Sequence, residues 1–481
     1  MRNIGYFDGL LGRQFPCIPA TKSLKEIPAM LLKFKNTFQL LCKVICFLFN
    51  LSIFLLLFGI NNAQLLRPSR TAAITILSFL FVYILMTLVY GGFDIGIKKS
   101  KPIIYSMSLC LVTADLAAHL FLCIMNFTVV NEGHFVYEQP WLLVLVMILQ
   151  IIITSLLTYG CNHLFFCFVP RQRCILISHR NEDTSRLAKS ISSFRKQFII
   201  CYHAYTDSPD LLNLIDRYEC VFLCNLSASE RVNIVEYCYA KRKHIYYTLE
   251  MADMVSLGAQ RVMFGDTSMM FSPPKRLTME QRILKRTFDI IVSALALVFF
   301  SPVFAITAIA IKLEDGGHIF YRQQRATYAG RVFNVIKFRS MREEGSVNVS
   351  VIKDDDRITR VGRIIRKYRI DELPQLINVL KSDMSLVGPR PEMLENIERY
   401  TNDLPEFSYR LRVKAGITGM AQIYGKYNTS PKEKLALDLA YIEQYNLLLD
   451  LRLFLRTILV LFTPGESTEA FEVEDVQEPV L

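Results

Sequence analysis

Beyond residue 280 the chain has no cysteine and a single histidine, His318, set beside two glycines. A cysteine nucleophile is excluded there, and a Ser-His-Asp site is disfavoured because it needs a well-placed imidazole. Carboxylates, lysines and arginines remain. That kit suits phosphoryl chemistry, in which cations clamp phosphate oxygens and carboxylates hold Mg2+ or attack phosphorus. These residues cluster. Lys337 and Arg339 follow a strand-like run at 332–336, and Arg357, Arg360, Arg363, Arg366 and Arg369 recur at every third position. Asp371 and Glu372 come next, followed by Pro374. Gly388-Pro389-Arg390-Pro391-Glu392 then presents another arginine on a stiff turn.

Each feature has two readings at this level. The arginine stripe is a phosphate clamp or a solvated or membrane-facing helix face. Pro374 predicts a helix start at Asp371-Glu372, since proline is tolerated in a first turn. A carboxylate at such a start feels the positive helix end and stays ionised, as a nucleophile or metal ligand must. It could equally be a cap. The turn at 388–392 is functional or merely rigid.

The elements that must position these groups fall into three parts. At 481 residues, two or three domains are expected. A composition 52% hydrophobic, with a net charge of +11, predicts membrane segments and an anionic surface or substrate. No basic, aromatic-interleaved segment favours nucleic acid. Residues 1–170 form an N-terminal arm and four apolar runs at 37–60, 72–90, 103–126 and 141–168, each long enough to span a bilayer. Lysines and arginines gather in the arm, at Lys98, Lys99 and Lys101, and at Arg171 and Arg173. The positive-inside rule then places the N-terminus and residue 171 in the cytoplasm, with Arg67 and Arg70 of the first loop as an exception.

Residues 171–265 alternate β-rich and helical runs, which predicts a small parallel, Rossmann-like α/β domain. No glycine occurs between Arg171 and Leu257, so a dinucleotide fingerprint is missing and a scaffold or dimer module is expected. Residues 266–280 read as a linker, 281–464 as the catalytic domain, and 465–481 as an acidic disordered tail.

A fifth apolar run, 290–311, is interrupted by Ser301-Pro302. Proline removes a backbone bond and serine can satisfy a freed carbonyl. Lys285 and Arg286 before it and Lys312 after it keep both ends on one side. A re-entrant helix over about 286–312 is therefore expected rather than a kinked span. Farther on, 432–462 is an amphipathic pattern that either lies on the membrane or packs as an ordinary helix.

With these residues in place, the stretch from Lys285 to about Thr457 resembles the bacterial sugar transferases, or monotopic phosphoglycosyl transferases. The matches are Lys285-Arg286-Thr-Phe-Asp289, Ser301-Pro302, Tyr321-Arg322-Gln323-Gln324-Arg325, Lys337-Phe338-Arg339-Ser340-Met341, Asp371-Glu372-Leu-Pro374-Gln375-Leu-Ile-Asn378, Asp383 to Glu392, and Gly416-Ile-Thr-Gly419. The preceding spans and α/β domain are similar to the large members that resemble undecaprenyl-phosphate galactose phosphotransferase. The resemblance implies an α+β membrane protein: a four-helix transmembrane bundle, a Rossmann-like domain and a monotopic catalytic domain.

It implies transfer of sugar 1-phosphate from a UDP-sugar to undecaprenyl phosphate, with UMP released. This would start an exopolysaccharide, capsule or O-antigen at the bacterial inner membrane. Asp371 would attack phosphorus, and Glu372, with Asp371, would hold Mg2+. Lys337, Arg339, Arg366, Pro389 and Arg390 would contact substrate. Lys285, Arg286, Ser301 and Pro302 would face lipid, and a homodimer is implied. Three positions depart from the family: Thr327 and Ser382 stand where glycine is usual, and Ala415 where proline is usual. A non-catalytic membrane scaffold for glycan assembly is the competing expectation.

Overall fold

The computed structural model describes residues 34–129, 134–273, 275, 277–342, 357–425 and 429–462. The basic arm apart from Lys35, and the acidic tail, lie outside them. The chain divides into two compact units, Met1–Glu250 and Met251–Leu481.

The first unit opens with α1 (Lys35–Asn61), α2 (Arg70–Tyr90), α3 (Ser100–Val129) and α4 (Pro140–Phe168). All four are long and apolar enough to cross a membrane, and the chain is a membrane protein. Their packed interior includes Phe54, Phe79, Met107, Leu111 and Val146. It also holds polar groups. Asn50 donates to the Thr154 hydroxyl at 3.2 Å, and Gln150 donates to the Asn50 carbonyl at 3.0 Å and to Asp115 at 3.1 Å. Such bonds tie helices together where no water can.

The rest of this unit is a four-stranded sheet, order β2-β1-β3-β4, in which all three pairings are parallel. The strands are β1 (Gln172–Ser178), β2 (Phe198–Tyr205), β3 (Cys220–Leu223) and β4 (His244–Tyr247). Helices α5 (Ser185–Ser192), α6 (Leu211–Asp216) and α7 (Ala228–Ala240) supply the crossovers that parallel strands require. β1 and β3 are near-continuous apolar runs because both faces are covered.

In the second unit, α8 (Met251–Ser256) buries Met254 against Leu435, Leu439 and Phe407. The predicted linker at 266–280 is not one. Its first half is β6 (Thr267–Phe271), paired antiparallel with β5 (Gln260–Phe264). Helix α9 (Met279–Phe299) meets α10 (Ser301–Asp315) at 60°. Pro302 sits in the first turn of α10, and the Ser301 hydroxyl donates to the Val298 carbonyl at 2.8 Å, as a break at this dipeptide requires.

Both limbs are held by the same body. Asp289 on α9 accepts from the Ser385 hydroxyl at 2.8 Å and the Leu386 amide at 3.0 Å, while Ile311 on α10 packs with Phe338 and Ile365. The hairpin β7 (Phe320–Ala326) and β8 (Val332–Phe338) follows, then α11 (Arg360–Lys367) and α12 (Gln375–Leu380). A short parallel pair, β9 (Ser385–Val387) with β10 (Gly416–Thr418), closes the centre.

Around it stand α13 (Leu394–Asp403), α14 (Met420–Tyr424), α15 (Pro431–Glu443) and α16 (Leu447–Phe462). The amphipathic pattern at 432–462 is thus two helices. Leu435, Leu439, Ile442 and Leu453 enter the core, as ordinary packing requires.

Candidate active site

Asp371 and Glu372 sit on a tight 3-10 turn, Ile370–Glu372, rather than in the first turn of an α-helix. Pro374 has no N–H to return to Ile370. The Leu373 amide closes the turn on the Ile370 carbonyl at 3.1 Å instead, and Pro374 caps α12. The turn is entered through Arg369 at φ 55°. A non-glycine residue in the left-handed region is strained, and such strain gathers at functional sites.

Glu372 is the electrostatic centre. One carboxylate oxygen accepts from Lys337 Nζ at 3.0 Å and from Arg390 at 2.7 Å. Burial pushes this carboxyl up, but Arg390, Lys337 and Arg369 outweigh it and hold it well below the usual range. Asp371 behaves oppositely. Burial and then the Glu372 charge raise it to about 6, against Lys337, Arg366 and Arg390. No side-chain hydrogen bond engages Asp371 among the described residues. At neutral pH it is ionised and uncommitted, the condition a nucleophile needs.

The cations reach this pair by separate supports. Lys337 lies on β8, and Asn378 of α12 locks that strand. Its carbonyl oxygen accepts from the Ile336 amide at 2.9 Å, and its amide donates to the Asn334 carbonyl at 2.8 Å. Arg390 rides on the rigid segment after Gly388. The two loops cross so closely that a Cβ on Gly416 would lie 2.1 Å from the Gly388 nitrogen, so only glycine fits there. Buried Arg410 donates to the Arg390 carbonyl at 2.9 Å and pairs with Asp438 at 2.8 Å. Lys434 holds Glu392 at 3.2 Å. Pro389 is buried behind the arginine as a stiffener.

Of the arginine stripe, Arg366 and Arg369 act on the two carboxylates, while Arg360 and Arg363 are exposed. Arg366 lies in the last turn of α11, and Arg369 beyond its end, where the left-handed backbone leads into the carboxylate turn.

Three sequence expectations are corrected. Arg339 is not a substrate ligand: it is buried, donates to the His318 carbonyl at 2.7 Å and pairs with Asp315. Lys285 does not meet lipid. It is buried against Asp450 at 2.6 Å and the Val387 carbonyl at 3.0 Å. Arg286 donates to the carbonyls of Val379 and Leu380, at 2.6 and 2.8 Å, in the last turn of α12, where the intrahelical donors run out. Its guanidinium complements that helix end instead of a head group. Ser301 and Pro302 are exposed.

Sequence reasoning missed the supporting roles of Asn378, Arg410, Asp438, Tyr441 and Asp450. The available signal was a polar residue interrupting an apolar helical stripe, as Asp438 does between Leu435 and Leu439.

The three family departures form two compensating contacts. The buried Thr327 hydroxyl accepts from the Ala415 amide at 3.1 Å, a donor that proline would lack. Ser382 adopts φ 69°, which explains why glycine is usual there, and its hydroxyl accepts from Lys414 at 2.6 Å.

A Mg2+ ion suits this donor set. It keeps water and substrate phosphate ligands and needs only one or two carboxylates. Asp371 and the second oxygen of Glu372 carry no side-chain hydrogen bond among the described residues, so both could serve.

Residues 280–464 match the family model described as bacterial sugar transferase. Over 202 residues the chain is 40% identical to a UDP-glucose:undecaprenyl-phosphate glucose-1-phosphate transferase of Caulobacter vibrioides, covering 40% of this chain and 75% of that protein. It is 40% identical over 185 residues to a UDP-N-acetylgalactosamine-undecaprenyl-phosphate N-acetylgalactosaminephosphotransferase of Aeromonas hydrophila, covering 37% of this chain and 44% of that protein. It is 39% identical over 184 residues to an Escherichia coli UDP-glucose:undecaprenyl-phosphate glucose-1-phosphate transferase, covering 37% of this chain and 40% of that protein.

Proposed function

The chain belongs to the bacterial sugar transferase family, and on that premise we propose that it transfers sugar 1-phosphate from a UDP-sugar to undecaprenyl phosphate, the initiating step of a surface glycan. The observation that carries this reading is Glu372 clamped between Lys337 and Arg390, with uncommitted Asp371 beside it. A carboxylate oxygen of Asp371 bonds to the β-phosphorus of the donor, and the bond from that phosphorus to the bridging oxygen breaks. UMP departs with the electron pair. A phosphate oxygen of the lipid then attacks the same phosphorus, and Asp371 leaves as carboxylate. Lys337, Arg366 and Arg390 bind phosphate oxygens and oppose the charge that gathers there. Mg2+, held by Glu372 and Asp371, would neutralise the donor diphosphate.

The catalytic domain is assigned to 281–464 and the bent α9–α10 pair is read as re-entrant. Support comes from the anchoring of both limbs to one body and from the basic residues at both ends. The basic loops support a cytoplasmic catalytic face on the bacterial inner membrane. The parallel sheet is read as a Rossmann-like scaffold. The working unit is proposed to be a homodimer, a reading supported by the β5–β6 hairpin, which exposes Phe264, Met269, Met270 and Phe271.

The test is nucleotide release by purified chain with Mg2+, undecaprenyl phosphate and a panel of UDP-sugars, with Asp371→Asn in parallel. UMP from one donor, abolished in the variant, is expected. UDP as the product would overturn the sugar-phosphate mechanism, and activity surviving in the variant would remove Asp371 as nucleophile.

A further inference from the structure

Arg67 and Arg70 stand outside the account so far. They lie in the first interhelical loop and the start of α2, at the end of the bundle that the other basic loops avoid. The remaining loop at that end, 130–139, contains no lysine or arginine. Two cations placed against the general bias invite a specific reason.

The structure supplies one. A cavity of about 550 Å³ is lined by Gln64, Arg67, Ser69, Arg70, Ile124 and Met125, among others. This size suits a small-molecule group. Both arginines are exposed, and neither has an acidic partner among the described residues. Glu138 is engaged by the Asn126 amide at 2.9 Å. The Gln64 side chain is oriented: its carbonyl oxygen accepts from the Thr71 hydroxyl at 3.1 Å, which leaves its NH2 group as the free end. The polar rim is therefore made of guanidinium and amide donors. The opposite wall is apolar. From it, Leu116, Leu120 and Ile124 run four apart along one face of α3, 46%, 45% and 48% exposed. A donor-lined cup that opens onto an apolar track has the chemistry of a lipid with an anionic head.

We propose that this pocket binds the phosphate head group of an anionic membrane lipid, one per bundle. The phosphate sits between Arg67 and Arg70, with the Gln64 amide as a further donor, and the chain lies along Leu116–Leu120–Ile124. Arginine suits this task because its planar fork matches phosphate oxygens in pairs. The site uses none of the residues proposed for phosphoryl transfer and does not depend on which sugar is moved.

The experiment is native mass spectrometry of the full chain in mild detergent, titrated with phosphatidylglycerol and, separately, with phosphatidylcholine. One saturable phosphatidylglycerol per chain is expected, with weaker phosphatidylcholine binding. The Arg67→Gln/Arg70→Gln chain should bind at least about tenfold more weakly, given the contribution of a single basic residue near an anionic head group. A control, Lys101→Gln/Arg171→Gln, removes the same charge elsewhere and should bind like the wild type. Equal weakening in both variants, or binding that never saturates, would mean general attraction only and overturn the proposal. Displacement of the lipid by equimolar inorganic phosphate would overturn the lipid assignment in favour of a free-anion site. Polyprenyl phosphate in the same titration separates the two lipid sources: the one whose saturable equivalent disappears in Arg67→Gln/Arg70→Gln is the occupant. All four substituted positions are exposed, and an unchanged size-exclusion profile checks folding.

Discussion

The two units bury polar groups in opposite ways. In the helical bundle, Asn50, Gln150 and Thr154 meet through amide and hydroxyl bonds, with Asp115 as a further acceptor for Gln150, and no lysine or arginine takes part. In the second unit charged groups interlock: buried Lys285 with Asp450 and Tyr441, buried Arg410 with Asp438 and Glu392, and half-buried Glu372 with Lys337 and Arg390. Neutral links tolerate loss, because an orphaned amide can find another partner. An orphaned buried charge cannot, so the charged networks specify geometry sharply. The difference teaches where precision is greatest: in the unit that holds the Asp371–Glu372 pair rather than among the spans.

The comparison is tested most severely at Lys285. Lys285→Met would leave Asp450 buried and unpaired, and a loss of about 3–5 kcal/mol is expected. Thermal unfolding of the purified chain measures it; a loss under 1 kcal/mol would show that the charged network is dispensable. Next comes the coupled departure from the family. Ala415→Pro deletes the donor to the buried Thr327 hydroxyl and should destabilise by about 1–3 kcal/mol. Adding Thr327→Gly removes the orphaned hydroxyl, so the double variant should be more stable than the sum of the singles predicts. Strict additivity would mean the two departures are independent.

A smaller effect follows from pH. As the proposed nucleophile, Asp371 must be ionised to attack, and burial with the Glu372 charge raises it to about 6. Transfer rate should therefore fall about tenfold per unit below that value and be flat above it. Glu372→Gln removes the second-largest cause of the upward shift and should move the break to lower pH in whatever activity remains. The same raised value means that the folded state holds this proton more tightly than the unfolded chain does. That contribution to stability is full below the ordinary aspartate range and is lost as pH rises through about 6. A pH–rate profile without a break between 5 and 7 would argue against Asp371 as the ionising group. The smallest effect belongs to the bundle: Thr154→Val removes a neutral hydrogen bond and should change stability by only about 0.6 kcal/mol. A change as large as that of Lys285→Met would erase the contrast between the units.

Much of the architecture was legible in advance because it follows from local periodicity. Four long apolar runs can only be helices when backbone groups must be satisfied without water, and they are. Alternating β-rich and helical runs implied parallel pairing, which the sheet has. Asp371, Glu372, Lys337 and Arg390 were candidates by residue type, with a helix cap and a stiff turn as open alternatives, and their roles came only from the family resemblance. The roles of Lys285, Arg286 and Arg339 were not legible. Sequence places a cation beside an apolar run, but whether it turns to lipid, to a helix C-terminus or to a buried carboxylate depends on what lies opposite. For these three, that is Asp450, Val379 and Leu380, and Asp315.

The amino-acid sequence by itself determined the four long apolar helices and the strand–helix alternation that follows them, where the chain breaks at Ser301-Pro302, and which groups have the chemistry for phosphoryl transfer. Those properties are set by neighbours within one or two turns. Only the tertiary structure decided which cations reach the carboxylate pair, that Thr327 and Ala415 answer each other, and that Arg67 and Arg70 rim a cavity against α3. These are contacts between residues far apart in the chain, and a carboxylate's charge state depends on the burial and the partners that such contacts create.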